Sequence, residues 1–221
     1  MNNNIIKFGE AVEGYDMPVL NEREIRAAAG ILFVMMFFSI LKVIFTGNFI
    51  TLKYAIVIFL VDILIRVFVN PRFSPSLIIG RFMVKNQVPE YVGAAQKKFA
   101  WIIGVVLAAA IFVHLDVINA FSPITGLICF ICLIFLFFES AFGICIGCKF
   151  YSLFHKEKAK YCPGEVCEIK SRQDIQKISK IQVFVVAVFI AFIFLTALMF
   201  NDNFNRTPHY LFSSVSTSQT R

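Results

Sequence analysis

The sequence predicts an all-α integral membrane protein, built as a bundle of five transmembrane helices. The chain has 221 residues, of which 58% are hydrophobic and 16% charged, with a mean hydropathy of +0.76. Soluble domains carry roughly 45–50% apolar and about 25% charged residues, so this apolar excess fits a lipid solvent better than one small aqueous core. Five separate apolar stretches and two long basic links supply the remaining support for this fold class.

Each apolar stretch has about the 20 residues that a helix needs to cross the hydrocarbon of a bilayer. They are Ala27–Thr46, Ile50–Val69, Phe99–Ile118, Ile124 to about Cys148, and Ile181–Phe200. Very short links join the first stretch to the second and the third to the fourth, which predicts two antiparallel helical hairpins. The first 26 residues carry five acidic side chains instead of the basic start of a signal peptide, so we expect the first stretch to stay in the mature protein.

The positive charges predict how the helices are oriented. The two long links, residues 70–98 and 149–180, hold thirteen Lys and Arg residues, whereas the short loops at the opposite helix ends hold none. Positive residues collect in cytoplasmic loops, so we expect both long links and the N-terminus in the cytoplasm. Because this charge lies beside apolar runs, it favours the lipid bilayer as a partner and argues against nucleic acid.

This topology divides the chain into five regions. They are a cytoplasmic segment 1–26, a four-helix core 27–151, a basic cysteine-containing link 152–180, a fifth helix 181–200 and a disordered extracytoplasmic tail 201–221. Within the first long link, the prolines of NPRFSP (Asn70–Pro75) end the second helix. The following SLIIGRFMV (Ser76–Val84) is too short to span and is expected to be interfacial or partly re-entrant.

Three charged residues are predicted to lie inside the hydrocarbon, where each is costly unless it is paired. Asp62 and Arg66 are four residues apart on the second helix, so they share a face and can form an ion pair. Glu139 lies well inside the fourth helix. One interpretation is a structural clamp in which Arg66 bridges Asp62 and Glu139, and the other is a relay for protons or ions.

Four further ionisable residues are expected near the outer surface. His114 and Asp116 lie close to the outer end of the third helix and are expected to be interfacial. Lys42 and Lys53 are close enough to the same surface for their long side chains to reach water.

The six cysteines divide into two groups. Cys129 and Cys132 lie within the apolar body of the fourth helix, where a thiol behaves as a small hydrophobe. Cys145-x-x-Cys148 ends that helix, and Cys162 and Cys167 follow in the next link. The last four should share the cytoplasmic face, where thiols stay reduced. Their spacing fits a redox or sulfur-transfer site, a four-cysteine zinc site, or thiols without a chemical role.

Several motifs taken together resemble a known family. NEREIRAAAG (Asn21–Gly30), the Asp62–Arg66 helix with NPRFSP, AAQKKFAWIIG (Ala94–Gly104) and ESAFGICIGCKFY (Glu139–Tyr151) are similar to the bacterial membrane family of domain of unknown function 4395. The resemblance runs from about Asn21 to Tyr151 and implies a four-helix membrane core in a bacterial inner membrane. The matching positions are Asn21, Glu22, Arg26, Gly30, Asp62, Arg66, Asn70, Pro71, Arg72, Pro75, Lys97, Phe99, Glu139, Gly143, Cys145, Gly147 and Cys148. The family supplies no activity.

The favoured functional hypothesis is a thiol site at the cytoplasmic face. Cys145 and Cys148 would be the reactive pair, and Cys162 and Cys167 a resolving pair or co-ligands. Arg66, Arg72 and Glu139 would set the local electrostatics, and the partner would be a cytosolic thioredoxin-like or sulfur-carrier protein. The alternatives are a zinc site of the same four cysteines, a transporter or channel built on Asp62, Arg66 and Glu139, and a membrane assembly subunit. Many transporters are built from paired repeats, which a homodimer of this chain could supply.

Overall fold

The computed structural model describes residues 8–146 and 178–210. The helices are α1 (Glu22–Thr46), α2 (Ile50–Leu64), α3 (Pro75–Val84), α4 (Ala94–Phe112), α5 (Pro123–Phe137) and α6 (Lys180–Asn205). A single π-helical turn extends each of α2, α4 and α5, over Ile65–Val69, Val113–Val117 and Phe138–Phe142 respectively. Four short strands are β1 (Val19–Asn21), β2 (Tyr91–Gly93), β3 (Ala120–Phe121) and β4 (His209–Tyr210).

Four helical segments have the length and composition of membrane spans, which confirms the predicted class of an all-α membrane protein: Glu22–Thr46, Ala94–Val117, Pro123–Phe142 and Lys180–Asn205. The second predicted span is α2 with its π-helical turn, Ile50 to Val69, which has the required twenty residues but also holds three charged ones, Lys53, Asp62 and Arg66. At about 1.5 Å per residue, this segment reaches roughly 30 Å, the thickness of the hydrocarbon core.

Several helix ends differ from their predicted positions, whereas the first span ends at Thr46 and the second runs from Ile50 to Val69 as predicted. The first and third spans begin five residues earlier than expected, at Glu22 and Ala94, and the last continues to Asn205. The fourth ends at Phe142 instead of about Cys148, because Gly143 takes a left-handed conformation with φ of 66°. Only glycine adopts this conformation readily, and it stops an α-helix.

The stretch expected to be interfacial or partly re-entrant forms α3, which packs closely on α1. Ser74 caps α3 by accepting a hydrogen bond from the backbone N–H of Leu77, and Pro75 opens the helix. The contact is close because Gly80 lies against the backbone of α1. A Cβ added there would stand 2.7 Å from the carbonyl oxygen of Glu24. Helix α3 is therefore packed as part of the helical bundle.

A two-stranded sheet marks one end of the bundle, which we call the β1–β2 end. The strands are antiparallel, with Val19 opposite Gly93 and Asn21 opposite Tyr91. Asn21 also caps α1, since its side-chain oxygen accepts a hydrogen bond from the N–H of Arg23. The sheet thus fixes the starts of α1 and α4 side by side.

The opposite end, which we call the β3–β4 end, is closed by the segment that follows α6. There β4 pairs in parallel with β3, and the ring of Phe204 packs edge-on against Tyr54 with 4.5 Å between centroids. Within residues 201–210, the chain continues α6 to Asn205, buries Phe204 and Pro208 and pairs through β4. The rest of the predicted tail lies outside the described residues.

The apolar core is formed by α1, α2, α4 and α5, with contributions from α3 and the N-terminal segment. The most apolar window of α6 has no buried residue, and side chains such as Phe194 and Met199 point away from the protein. Near the β1–β2 end, α6 is held by a hydrogen bond from Gln182 Nε2 to the carbonyl of Arg72, at 2.9 Å. A lipid solvent accounts for the remaining apolar surface of this helix.

Candidate functional site

Asp62 and Arg66 form the buried ion pair that the sequence predicts. Arg66 Nη2 lies 2.8 Å from Asp62 Oδ2, and both side chains are almost fully buried. Three further hydrogen bonds reach the carboxylate, from the hydroxyls of Ser74 and Ser76 and from the backbone N–H of Ser76, at 2.7–2.9 Å. A buried ion pair is tolerated when the remaining hydrogen-bond donors and acceptors of its side chains also have partners. The network joins α2 to the start of α3.

Glu139 pairs with Lys97, and not with Arg66 as predicted. Lys97 Nζ lies 3.0 Å from Glu139 Oε1 and 2.8 Å from Glu22 Oε2. The Arg66 guanidinium is occupied by Asp62 and the two serines, so it makes no described bond to Glu139. Lys97, Glu22 and Glu139 form a group that we call the Lys97 triad, and it connects α1, α4 and the π-helical turn after α5. Its single ammonium group is paired with two carboxylates.

A further buried ion pair joins α3 to α1. Arg81 Nη2 of α3 is 3.0 Å from Glu24 Oε2 of α1, and Asn21 Nδ2 donates to the other carboxylate oxygen. The sequence prediction placed Glu22, Glu24 and Arg81 outside the spans and so missed both arrangements. The signal was present, since Asn21-x-x-Glu24 has the spacing of a helix start just before the first apolar run.

The candidate site is a cavity of about 60 Å³ between α2, α4 and α5. Apolar side chains form most of its wall. The polar or reactive residues that line it are Arg66, Trp101, Cys132, Glu139 and Cys145. Three of the predicted site residues therefore converge, although they come from distant parts of the sequence. A volume of this size has room for about four to six water molecules or for one small solute.

The turn after α5 places Cys145 at this cavity. The N–H of Gly143 donates to the carbonyl of Glu139, and the N–H of Ile144 donates to that of Phe138, at 3.2 and 3.1 Å. The chain therefore folds back over its own last helical turn. Arg26 of α1 holds the same turn by donating to the carbonyls of Ser140 and Ala141. Cys145 lies beyond the helix, and not within its last turn as predicted.

Arg72 lies apart from this cavity. It lines a smaller cavity of about 20 Å³, next to Asn21, Glu24 and Arg81. The structure therefore separates Arg72 from Cys145, and its carbonyl instead receives the hydrogen bond from α6 described above.

Each of the three π-helical turns contains at least one ionisable residue. The turns contain Arg66, the pair His114 and Asp116, and Glu139. A π-helical turn inserts one residue into an α-helix and is frequent at functional sites. Here each turn lies at the end of a span and directs a charged or titratable group toward the neighbouring helices.

At the β3–β4 end, the structure corrects two expectations. Lys53 does not extend to water: it is 1% exposed and donates to Asn119 Oδ1 and to the carbonyl of Arg206. Both carboxylate oxygens of Asp116 are buried and have no hydrogen-bond partner among the described residues. Lys42 does remain exposed, and it bonds to the hydroxyl of Thr51.

The remaining candidate ligands, Cys148, Cys162 and Cys167, lie outside the described residues. Within residues 8–146 and 178–210, no group of three or more His, Cys, Asp or Glu side chains could hold a metal ion. The zinc alternative therefore remains a prediction that depends on the other part of the chain.

Comparison with known proteins gives one match. A family model described as "Domain of unknown function (DUF4395)" matches residues 20–156. No curated protein and no solved structure matches the chain. The matched range contains the Asp62–Arg66 network, the Lys97 triad and Cys145.

Proposed function

From the premise that the chain belongs to the DUF4395 family, we propose that it is a multi-pass membrane protein with a thiol site at its β1–β2 end. Cys145 is the nucleophilic thiol that attacks first, and Cys148 is the resolving cysteine. Glu139 is the proton acceptor, and Arg66 contributes positive charge to the same cavity. Cys162 and Cys167 serve as a second dithiol: by exchange they reduce the Cys145–Cys148 disulfide to two thiols and are themselves oxidised to a disulfide.

We place the β1–β2 end in the cytoplasm of a bacterial cell, with the protein in the inner membrane. Supporting this orientation, the two long basic links leave the helices at this end, where Lys85 follows α3 and Lys98 lies near the start of α4. The cytoplasm also keeps cysteines reduced, which a reacting thiol requires. A thioredoxin-like or sulfur-carrier protein could approach Cys145 from this side.

The observation that carries the proposal is the shared cavity. Cys145, Glu139 and Arg66 line one small, mostly apolar space, although 79 positions separate the first from the last of them in sequence. Small apolar cavities with a few convergent polar groups are the usual form of a ligand or reaction site. The saturated Asp62–Arg66 network counts against a transport path through those two residues, so a transporter would depend on Glu139.

The proposed reaction is a two-electron thiol–disulfide exchange. The Cys145 thiolate attacks a disulfide of the thioredoxin-like partner, forming a mixed disulfide and releasing one partner thiolate. Cys148 then displaces the second partner thiolate, which leaves a Cys145–Cys148 disulfide. Two cysteine thiols are oxidised, one partner disulfide is reduced to two thiols, and the two protons pass to those thiols through Glu139.

The test combines thiol redox state with metal content in the purified, membrane-extracted protein. We expect Cys145 and Cys148 to alternate between a dithiol and a disulfide when an oxidised or reduced thioredoxin-like protein is added, and Cys145→Ser to abolish the cycle. Cys129→Ser is the matched control, because Cys129 is buried in α5 away from the cavity. Zinc bound in one-to-one amount with all four thiols protected would replace the redox proposal by the metal site. Inert, metal-free thiols would refute both.

A further inference from the structure

A third and larger cavity lies at the edge of the β1–β2 end. Its volume is about 390 Å³, and it opens between the start of α1, the segment after α3 and the turn after α5. The polar residues around it are Arg23, Arg26, Gln87, Glu90 and Ser140. It shares no lining residue with the Cys145 cavity, so its role can be tested independently.

Two arginines give this cavity its charge. Arg23 and Arg26 are three residues apart on α1 and therefore lie on the same face. Arg23 is compensated by Glu90, at 2.6 Å, and also donates to Gln87. Arg26 has no acidic partner within salt-bridge distance among the described residues and donates only to two backbone carbonyls. The positive charge of Arg26 therefore remains without an acidic partner among the described residues.

Hydrogen-bond donors also remain at the cavity. Arg23 Nε is buried and has no partner among the described residues. The guanidinium of Arg26 uses Nε and Nη2 for the two carbonyls, which leaves Nη1 for another acceptor. An anionic oxygen between the two side chains would satisfy these donors, and a phosphate group offers several such oxygens to arginine.

The surfaces on both sides of the cavity are apolar and exposed. On one side are Phe82 and Met83 in the last turn of α3, and on the other are Phe137 and Phe142 beside the turn after α5, each between 41% and 62% exposed. This arrangement has a charged centre at the end of two membrane-length helices and apolar flanks directed to the lipid. A soluble phosphate would bind at the charged centre but would make no contact with the apolar side chains on either side.

We propose that this cavity binds the phosphodiester headgroup of an anionic phospholipid. The phosphate accepts hydrogen bonds from Arg26 and Arg23, and the acyl chains cover the phenylalanine and methionine side chains on either side. Basic pockets between transmembrane helices on the cytoplasmic side are known sites for such headgroups. The lipid would fill the space between α1, α3 and α5 and so brace the turn that places Cys145.

The test measures lipid selectivity of the intact protein in micelles that contain equal amounts of phosphatidylglycerol and phosphatidylcholine. Bound lipids are counted by native mass spectrometry. We expect the wild-type protein to retain phosphatidylglycerol preferentially. Arg26→Gln should lower that preference about fivefold, the effect of one positive charge near an anionic surface. Lys42→Gln is the matched control, because it removes the same charge from the other end of α1.

Three results would overturn the proposal. The first is equal retention of the two lipids by the wild-type protein, a measurement that needs no variant to fold. The second is an equal loss of selectivity in Lys42→Gln and Arg26→Gln, which would show that only total charge matters. The third is displacement of phosphatidylglycerol by millimolar inorganic phosphate, which would identify a site for a soluble anion. Arg23→Gln provides a second variant, with an expected loss in the same direction.

Discussion

Lys53 is a buried cation that ties three separate parts of the chain together. Its ammonium donates to Asn119 in the loop after α4 and to the Arg206 carbonyl after α6. We expect Lys53→Met to lower the free energy of unfolding by about 1.5–3 kcal/mol, the usual contribution of a hydrogen bond to a charged group. The loss arises because both acceptors are left without their donor. Thermal unfolding in detergent measures the change.

Lys42 provides the comparison for Lys53. It lies on α1 near the same end of the bundle, but it is exposed and bonds only to Thr51. Lys42→Met should therefore change the unfolding temperature very little. If the two substitutions were equally damaging, or if Lys53→Met were neutral, Lys53 would not hold this end of the protein together.

At the scale of single residues, sequence reasoning succeeds where spacing along one helix determines the contact. The Asp62–Arg66 pair is of this kind, because residues four apart on a helix must be neighbours. It fails where the partner comes from another helix, as for Glu139 with Lys97 and for Lys53 with Asn119. A sequence gives the depth of a charged residue in the membrane, but not the rotation of its helix about its own axis.

The packing of α3 on α1 depends on one glycine. A Cβ at Gly80 would be 2.7 Å from the Glu24 carbonyl oxygen and 3.1 Å from the Ala28 nitrogen, both backbone atoms that cannot move alone. Gly80→Ala should therefore push α3 away from α1 and destabilise the protein by about 1–3 kcal/mol, as overpacking does elsewhere. Unfolding in mixed micelles gives the value, and strain on the Arg81–Glu24 pair would add to it.

Gly30 on α1 is the matched control for Gly80. There a Cβ would lie 3.7 Å from the Cβ of Ser140, an ordinary contact distance. Gly30→Ala should be neutral or stabilising by up to about 1 kcal/mol, because alanine favours the helix more than glycine does. A similar loss of stability for both variants would show that the helix contact at Gly80 is less restrictive than its geometry indicates.

At the scale of elements, the five spans were predictable because twenty consecutive apolar residues have few other stable arrangements. Several of their ends were not, since charged residues such as Glu22 and Lys97 counted as loop residues in sequence but are neutralised inside the bundle. The left-handed turn at Gly143 was missed for a different reason: a glycine near a helix end is equally consistent with close helix packing.

At the scale of the whole molecule, the two ends of the bundle have different chemistry. The β1–β2 end contains Cys145, the three cavities with charged linings and the ion-paired carboxylates Glu22, Glu24, Glu90 and Glu139. The β3–β4 end is closed by a backbone strand pair and by the Lys53 bonds. Helix α6 joins the two ends, from Gln182 near Arg72 to Phe204 against Tyr54. It therefore runs the full thickness of the bundle.

This course of α6 predicts the topology of the protein. A chain with five spans must place its termini on opposite sides of the membrane, and the positive charge of the long links assigns the N-terminus to the inside. A reporter at the N-terminus should thus be active only in the cytoplasm, and one at the C-terminus only outside. A reporter inserted after Gly47, in the loop between α1 and α2 at the β3–β4 end, should behave like the C-terminal one. If both termini report from the same side while the Gly47 reporter remains outside, α6 does not cross the membrane, and the contacts of Phe204 with Tyr54 and of the Arg206 carbonyl with Lys53 could not form.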